Sequence, residues 1–159
     1  MSGDYRLRRA ECERAAAALG VALLSDLAEA DLPRINRLPE PLNRRARHVV
    51  TENARVLAAM TAMRANALDE LGALWTASHA SMRDDYDVSI PDIDQIVETA
   101  LASPNVYGAR LTGGGFGGSV IVLTNAGSER SVALAIQETY GTQTGKSVRV
   151  LLPGLRNPR

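Results

Sequence analysis

The chain has a single cysteine, Cys12, among 159 residues, so no internal disulfide can form and the core must hold by packing alone. It also lacks any imbalance of charge. Eighteen basic and eighteen acidic residues cancel, which removes the long-range field that draws proteins to nucleic acid or anionic membranes, and no block of like charge forms a binding tail. No apolar run approaches the length of a signal or membrane-spanning helix, and with the lone cysteine this points to the cytoplasm. The histidines, His48 and His79, have no cysteine or second histidine at ligand spacing, which argues against zinc. Asp84, Asp85 and Asp87 lack the glycine and terminal glutamate of a calcium loop and read as solvated loop carboxylates. Ser78 and His79 are neighbours on a helix, where adjacent side chains point about 100° apart, so they form no nucleophile dyad. A hydrophobic content of 45% suits one ordinary core, hence a single domain.

What the chain does have is concentrated between Tyr107 and Leu123. Gly113, Gly114, Gly115, Gly117 and Gly118, interrupted only by Phe116, stand between two β-prone runs. Residues without Cβ take positive φ and let backbone amides approach an anion or another segment closely, and a phosphate is the natural anion. Gly113, Gly115 and Gly118 satisfy the dinucleotide spacing, but that fingerprint needs a helix next, and Ser119–Thr124 reads as a strand. A Walker loop needs Lys after Gly, and the nearest downstream lysine is Lys146. A glycine-rich hairpin or bulge with no ligand is the competing reading. Arg110 and Thr112 stand at the loop entrance, where an ion pair or a sheet-edge hydrogen bond competes with a phosphate contact.

Elsewhere helical spacing dominates. Arg6 to Leu19 forms one helix, with Cys12, Ala15, Ala16 and Leu19 on a face and Gly20 as its cap. Prolines keep residues 20–41 to a connection with short turns. A long helix starts near Leu42, with Ala46, Val49, Val50, Asn53, Val56, Leu57, Met60 and Met63 as its apolar stripe, the methionines filling core. Asn66 caps a second helix with Asp69 in its first turn and Leu68, Leu71, Leu74 and Trp75 buried, and the two helices pack as an antiparallel hairpin. A capping box, Ser89 to Asp92, opens a third helix through Ile93, Ile96, Val97 and Leu101 that ends at Ser103. After the glycine hairpin come a helix from Ser128 to Tyr140 closed by Gly141 and a last strand, Ser147–Leu152.

Gly108-x-Arg110-x-Thr112-Gly-Gly-Gly-Phe-Gly-Gly118, followed by an apolar strand, resembles the third motif of the GHMP small-molecule kinases in its galactokinase version. Tyr5-x-x-Arg8-Arg9-Ala10-Glu11-Cys12-Glu13 and the stretch from Ser78-His79 through Arg83-Asp84-Asp85-Tyr86 to Asp94 resemble further galactokinase segments in the same order, from about Tyr5 to about Leu152. The resemblance implies an α+β fold for residues 1–159: a GHMP kinase C-terminal domain, ferredoxin-like with extra helices, whose small antiparallel sheet lacks its first strand. It implies that Gly113, Gly114, Gly115, Phe116, Gly117 and Gly118 brace the phosphate loop of an N-terminal domain absent here, and that Tyr5 contacts the sugar. A phenol suits that task, its ring covering an apolar sugar face and its hydroxyl bonding a ring substituent. The complete enzyme would use ATP and magnesium to phosphorylate the 1-hydroxyl of galactose. The family's sugar-gripping, phosphate-loop, magnesium and catalytic residues have no match, so no catalytic or metal residue is assigned here, neither cofactor is expected to bind this chain tightly, and the chain alone is expected to be inactive. Unpaired strands would favour self-association. A kinase for another sugar, or a catalytically dead sensor module, are the rival readings.

Overall fold

The computed structural model describes residues 2–152. Helix α1 (Ser2–Leu19) starts before Arg6 and ends at Gly20, whose φ of +69° and amide bond to the Ala17 carbonyl close it. Two 3₁₀ turns (Leu24–Asp26, Glu29–Asp31) and the single turn α2 (Leu32–Ile35) make the connection to α3 (Leu42–Arg64). The first core lies here: Ala15 and Ala16 of α1 meet Leu24, Leu27, Ile35, Ala46 and Val50, with Cys12 half-buried against them.

Helix α4 (Leu68–Asp84) runs antiparallel to α3. The pairing is polar and its register explicit: Ser81 meets His48, Ser78 meets Glu52, and Asp85 meets Arg47. The expected apolar stripe holds in the first half of α3, where Ala46 and Val50 are core and Val49 packs on them, and fails in the second. On α3 the buried positions include Arg45, Ala46, His48, Val50 and Ala62, while Val56, Leu57, Met60 and Met63 are 44% to 66% exposed. The spacing of the stripe was that of a helix, but α4 packs against the face one residue over, about 100° around the axis, where polar groups pair with each other. Met60 and Met63 therefore fill no core.

Asn66 does not cap α4. It sits in the left-handed region (φ +53°) and its amide donates to the Met63 carbonyl at 3.2 Å, so it closes α3, and Ala67 precedes α4. The proposed box at Ser89 is also absent. Ile90 is the cap residue of α5 (Pro91–Leu101), Ser89 Oγ donates instead to Asp94 Oδ1 at 2.5 Å, and Asp92 receives Lys146 Nζ at 2.7 Å and Tyr140 Oη at 3.0 Å. Pro91 in the first turn lacks a donor that helix would leave unbonded anyway.

Strands β1 (Val106–Thr112) and β2 (Ser119–Thr124) form an antiparallel pair with Leu111 opposite Val120 and Thr112 opposite Ser119. A bulge lies between Val106 and Gly108. Helix α6 (Glu129–Thr144) runs through Gly141 and ends at Gly145 (φ +68°), whose amide donates to the Gly141 carbonyl. It covers one face of the sheet with α5, through Val97, Ala100, Ala109, Val132 and Ile136. Residues 147–152 are not a strand. The Val148 carbonyl accepts from Gln137 Nε2 of α6 at 2.9 Å, so the segment lies against that helix, and among the described residues the sheet has two strands only, neither paired with it. The result is a helix-rich α+β fold with a small antiparallel sheet.

Helix α4 lies against β1 through a glycine-to-glycine contact. A Cβ on Gly72 would stand 2.1 Å from the Tyr107 carbonyl oxygen, and one on Gly108 would stand 2.1 Å from the Gly72 carbonyl oxygen. No side chain can yield there, because both obstacles are backbone. This contact fixes the height of β1, and hence of the loop that follows it.

Candidate functional site

The loop between β1 and β2 carries a run of positive φ angles: Gly113 (+99°), Gly115 (+83°), Phe116 (+58°), Gly117 (+119°) and Gly118 (+104°). Gly115 and Phe116 dock it. The Phe116 amide donates to the Val88 carbonyl at 2.7 Å, a Cβ on Gly115 would stand 2.6 Å from Val88 Cβ, and Phe116 packs on the cluster of Met82, Val88, Ile93 and Leu111. Gly113 and Gly114 face open space. Among the described residues, Phe116 is the one loop residue whose amide bonds a carbonyl outside the hairpin. The loop is therefore anchored at its middle, with its first glycines open to approach.

Below the loop, His79 ties three elements together. It is buried; its Nδ1 accepts the Leu111 amide of β1 at 3.4 Å, which leaves the proton on Nε2, 3.3 Å from Asp94 Oδ1 of α5. That approach lacks hydrogen-bond geometry. Burial pushes the His79 pKa below its ordinary value, with the Asp94 carboxylate opposing. His48 stacks on Tyr86 with centroids 4.4 Å apart, and burial pushes its pKa down to about 4.

Arg110 takes the ion-pair role, not a contact in the loop: its Nη1 is 3.4 Å from Glu52 Oε1 and its Nε donates to the Leu111 carbonyl. Glu52 also receives Arg55 Nε at 2.8 Å and the Ser78 hydroxyl. Burial alone would raise the Glu52 pKa, but these partners hold it below the usual carboxylate range.

The expectation of solvated carboxylates at 84–87 holds for Asp84 and Asp87, 59% and 57% exposed, and fails for Asp85, 18% exposed; all three are paired with arginines. Asp85 receives Arg47, Asp84 receives Arg83, and Asp87 Oδ2 receives Arg8 Nη2 at 2.7 Å and Arg45 Nη2 at 3.3 Å. Buried Glu11 joins Arg8 and Arg45, each at 2.7 Å. Burial would raise the Glu11 pKa; its hydrogen bonds from Arg45 and Arg8 outweigh that and lower it. The sequence reading missed this cluster, and missed Gly72, because the partners lie far apart in the chain. Arg8 and Glu11 stand out in the sequence as part of a motif and Asp87 as a loop carboxylate, but nothing local pairs them.

Tyr5 lies in the first turns of α1, 58% exposed, one helical turn before Arg8. Arg8, three residues along α1 from Tyr5, bonds Asp87, the neighbour of the Val88 that anchors the glycine loop. With the nearby aspartates committed to arginines, no set of three metal-binding side chains occurs among the described residues. None of the described helices is long and apolar enough to cross a membrane.

The site is thus a two-stranded sheet backed by helices, with an anchored, positive-φ glycine loop at one end. The model of the GHMP kinases' C-terminal region matches residues 59–142, just over half the chain, and the chain belongs to that family. Among curated proteins it is 43% identical over 155 residues to the galactokinase of Chloroflexus aurantiacus (94% of this chain, 40% of that protein). It is 44% identical over 151 residues to that of Streptomyces coelicolor (93% and 39%) and 45% over 141 residues to the human galactokinase (88% and 36%). Among solved structures, Lactococcus lactis galactokinase complexed with galactose superposes with a TM-score of 0.85 at 34% identity, over 91% of this chain and 39% of that one. The chain spans about two fifths of the length of these relatives.

Proposed function

We propose that residues 1–159 are the C-terminal lobe of a galactokinase, which with a nucleotide-binding N-terminal lobe moves the γ-phosphoryl group of ATP to the 1-hydroxyl of galactose. The observation that carries this reading is the glycine loop: a positive-φ run, anchored at Phe116 and open at Gly113 and Gly114, in a chain over 40% identical to several galactokinases. Phosphoryl transfer depends mainly on positioning and on dipoles fixed where charge develops. Gly113 to Gly118 supply unhindered backbone that braces the phosphate loop of the other lobe, and Tyr5, exposed on α1, supplies a ring and hydroxyl to the sugar. Magnesium is held by the other lobe, since Asp85 and Asp87 are engaged by arginines and Asp94 by Ser89 and His79. This lobe therefore has no turnover of its own. The outer edge of β2 has no ladder partner among the described residues and is the seat of the sheet's first strand or, in the isolated chain, of a second copy.

Grafting the chain in place of the matching segment of the Streptomyces coelicolor galactokinase tests the reading. The hybrid is expected to phosphorylate galactose in preference to other aldohexoses. A folded hybrid that prefers another sugar refutes the substrate assignment.

A further inference from the structure

We propose that the cluster of Arg8, Glu11, Arg45 and Asp87 is a positioning device for the glycine loop, with Asp87 as the residue that transmits it. Arg8 comes from α1, Arg45 from α3 and Asp87 from the turn between α4 and α5, so the cluster joins three segments that are separate in sequence. Its grip on the turn is divided evenly between backbone and carboxylate. Arg8 Nε donates to the Asp87 carbonyl at 3.3 Å and Arg45 Nη1 to the Asp85 carbonyl at 2.6 Å, while both guanidinium groups hold the Asp87 carboxylate.

Asp87 is held in the left-handed region (φ +57°), and the next residue, Val88, is the one whose carbonyl receives the Phe116 amide and whose side chain faces Gly115. Rotation at Asp87 would swing that carbonyl away from Phe116. The cluster is costly to build and excessive for a surface turn. Arg45 is 2% exposed and Glu11 5%, and buried ion pairs of this kind are weak sources of stability compared with apolar packing but strong sources of fixed geometry. Charge-assisted hydrogen bonds are shorter and stronger than neutral ones. The side chain of Asp87 is itself 57% exposed, so changing it leaves the core intact.

The device rests on the reading of the glycine loop as the brace of a phosphoryl-transfer site, but its mechanical part can be tested without activity. Amide hydrogen exchange on the chain is compared for the wild type, Asp87→Asn, Asp87→Ala and Arg9→Gln. Asn tolerates the left-handed region and keeps an acceptor, whereas the Arg9–Glu13 pair is exposed, 74% and 65%, and Arg9 points about 100° away from Arg8 around α1. Exchange at Phe116 is expected to accelerate about tenfold in Asp87→Asn and more in Asp87→Ala, as loss of a charge-assisted bond implies. Protection of the α3 and α4 amides should not change, and Arg9→Gln should match the wild type. Unchanged exchange at Phe116, or acceleration shared equally by α3 and α4, would overturn the proposal. In the galactose-phosphorylating hybrid, Asp87→Asn should lower kcat with little change in the galactose KM. A wild-type kcat beside accelerated exchange would sever the device from catalysis. An inert parent hybrid would count against the functional reading and leave exchange to decide the device.

Discussion

Replacing Gly115 by alanine, with Gly114→Ala as its partner experiment, separates a docked loop from a mere turn. At Gly115 an alanine meets two costs. A φ of +83° is strained for an L-residue by about 1–2 kcal/mol. Its Cβ would also stand 2.6 Å from Val88 Cβ and 2.7 Å from the Val88 carbonyl oxygen, an overlap of the kind that costs about 1–3 kcal/mol when a core must yield. Their sum cannot be expressed in full, because the loop can release. What release forfeits is the Phe116–Val88 hydrogen bond, about 1 kcal/mol, and the half-buried contact of the Phe116 ring, about 1–2 kcal/mol. The expected loss is therefore about 2–3 kcal/mol, or roughly 5–10 °C in Tm for a chain of this size. Gly114 has nothing within 4 Å and lies outside the left-handed region, so its alanine variant should stay within about 0.5 kcal/mol of the wild type. Thermal and urea unfolding followed by circular dichroism decides it. Equal stability of the two variants would refute the docking of the loop on Val88.

Gly72→Ala and Gly108→Ala should each cost more than about 3 kcal/mol in urea unfolding, since each Cβ meets backbone at 2.1 Å and separates α4 from β1; a loss under 1 kcal/mol would deny that contact. Stability should also fall on acidification. His48 titrates at about 4 when folded and about 6.5 when unfolded, so the unfolded chain binds more protons between those values and stability is lost as pH falls through them, on the order of 2 kcal/mol by pH 5. His79 acts in the same direction, and a urea midpoint equal at pH 7 and pH 5 would contradict the burial of both rings.

Local signals carried the helices and the hairpin, and failed where a neighbour decides. Gly20 and the glycine loop were legible because their conformations are intrinsic to glycine. The face of α3 was not, because the side that α4 covers carries His48, Glu52 and Arg55, which apolar periodicity assigns to solvent. Asn66 suits both an N-cap and a left-handed helix end, and Gly141 and Gly145 can each end α6; tertiary packing chose between them. Residues 147–152 have a strand's composition, but a strand exists only with a ladder beside it. Of the site, the loop was readable, whereas its clamp needed Arg8 to meet Asp87 across the fold.

The most direct measurement is the ATP-dependent phosphorylation of galactose by three samples side by side: the Streptomyces coelicolor host, the hybrid that carries residues 1–159, and the chain alone. The hybrid is expected to turn over and the chain alone to stay at the no-enzyme background, because positioning and charge stabilisation come from both lobes. Turnover by the chain alone, or a folded hybrid at background, would contradict the assignment of this chain as the C-terminal lobe of a galactokinase.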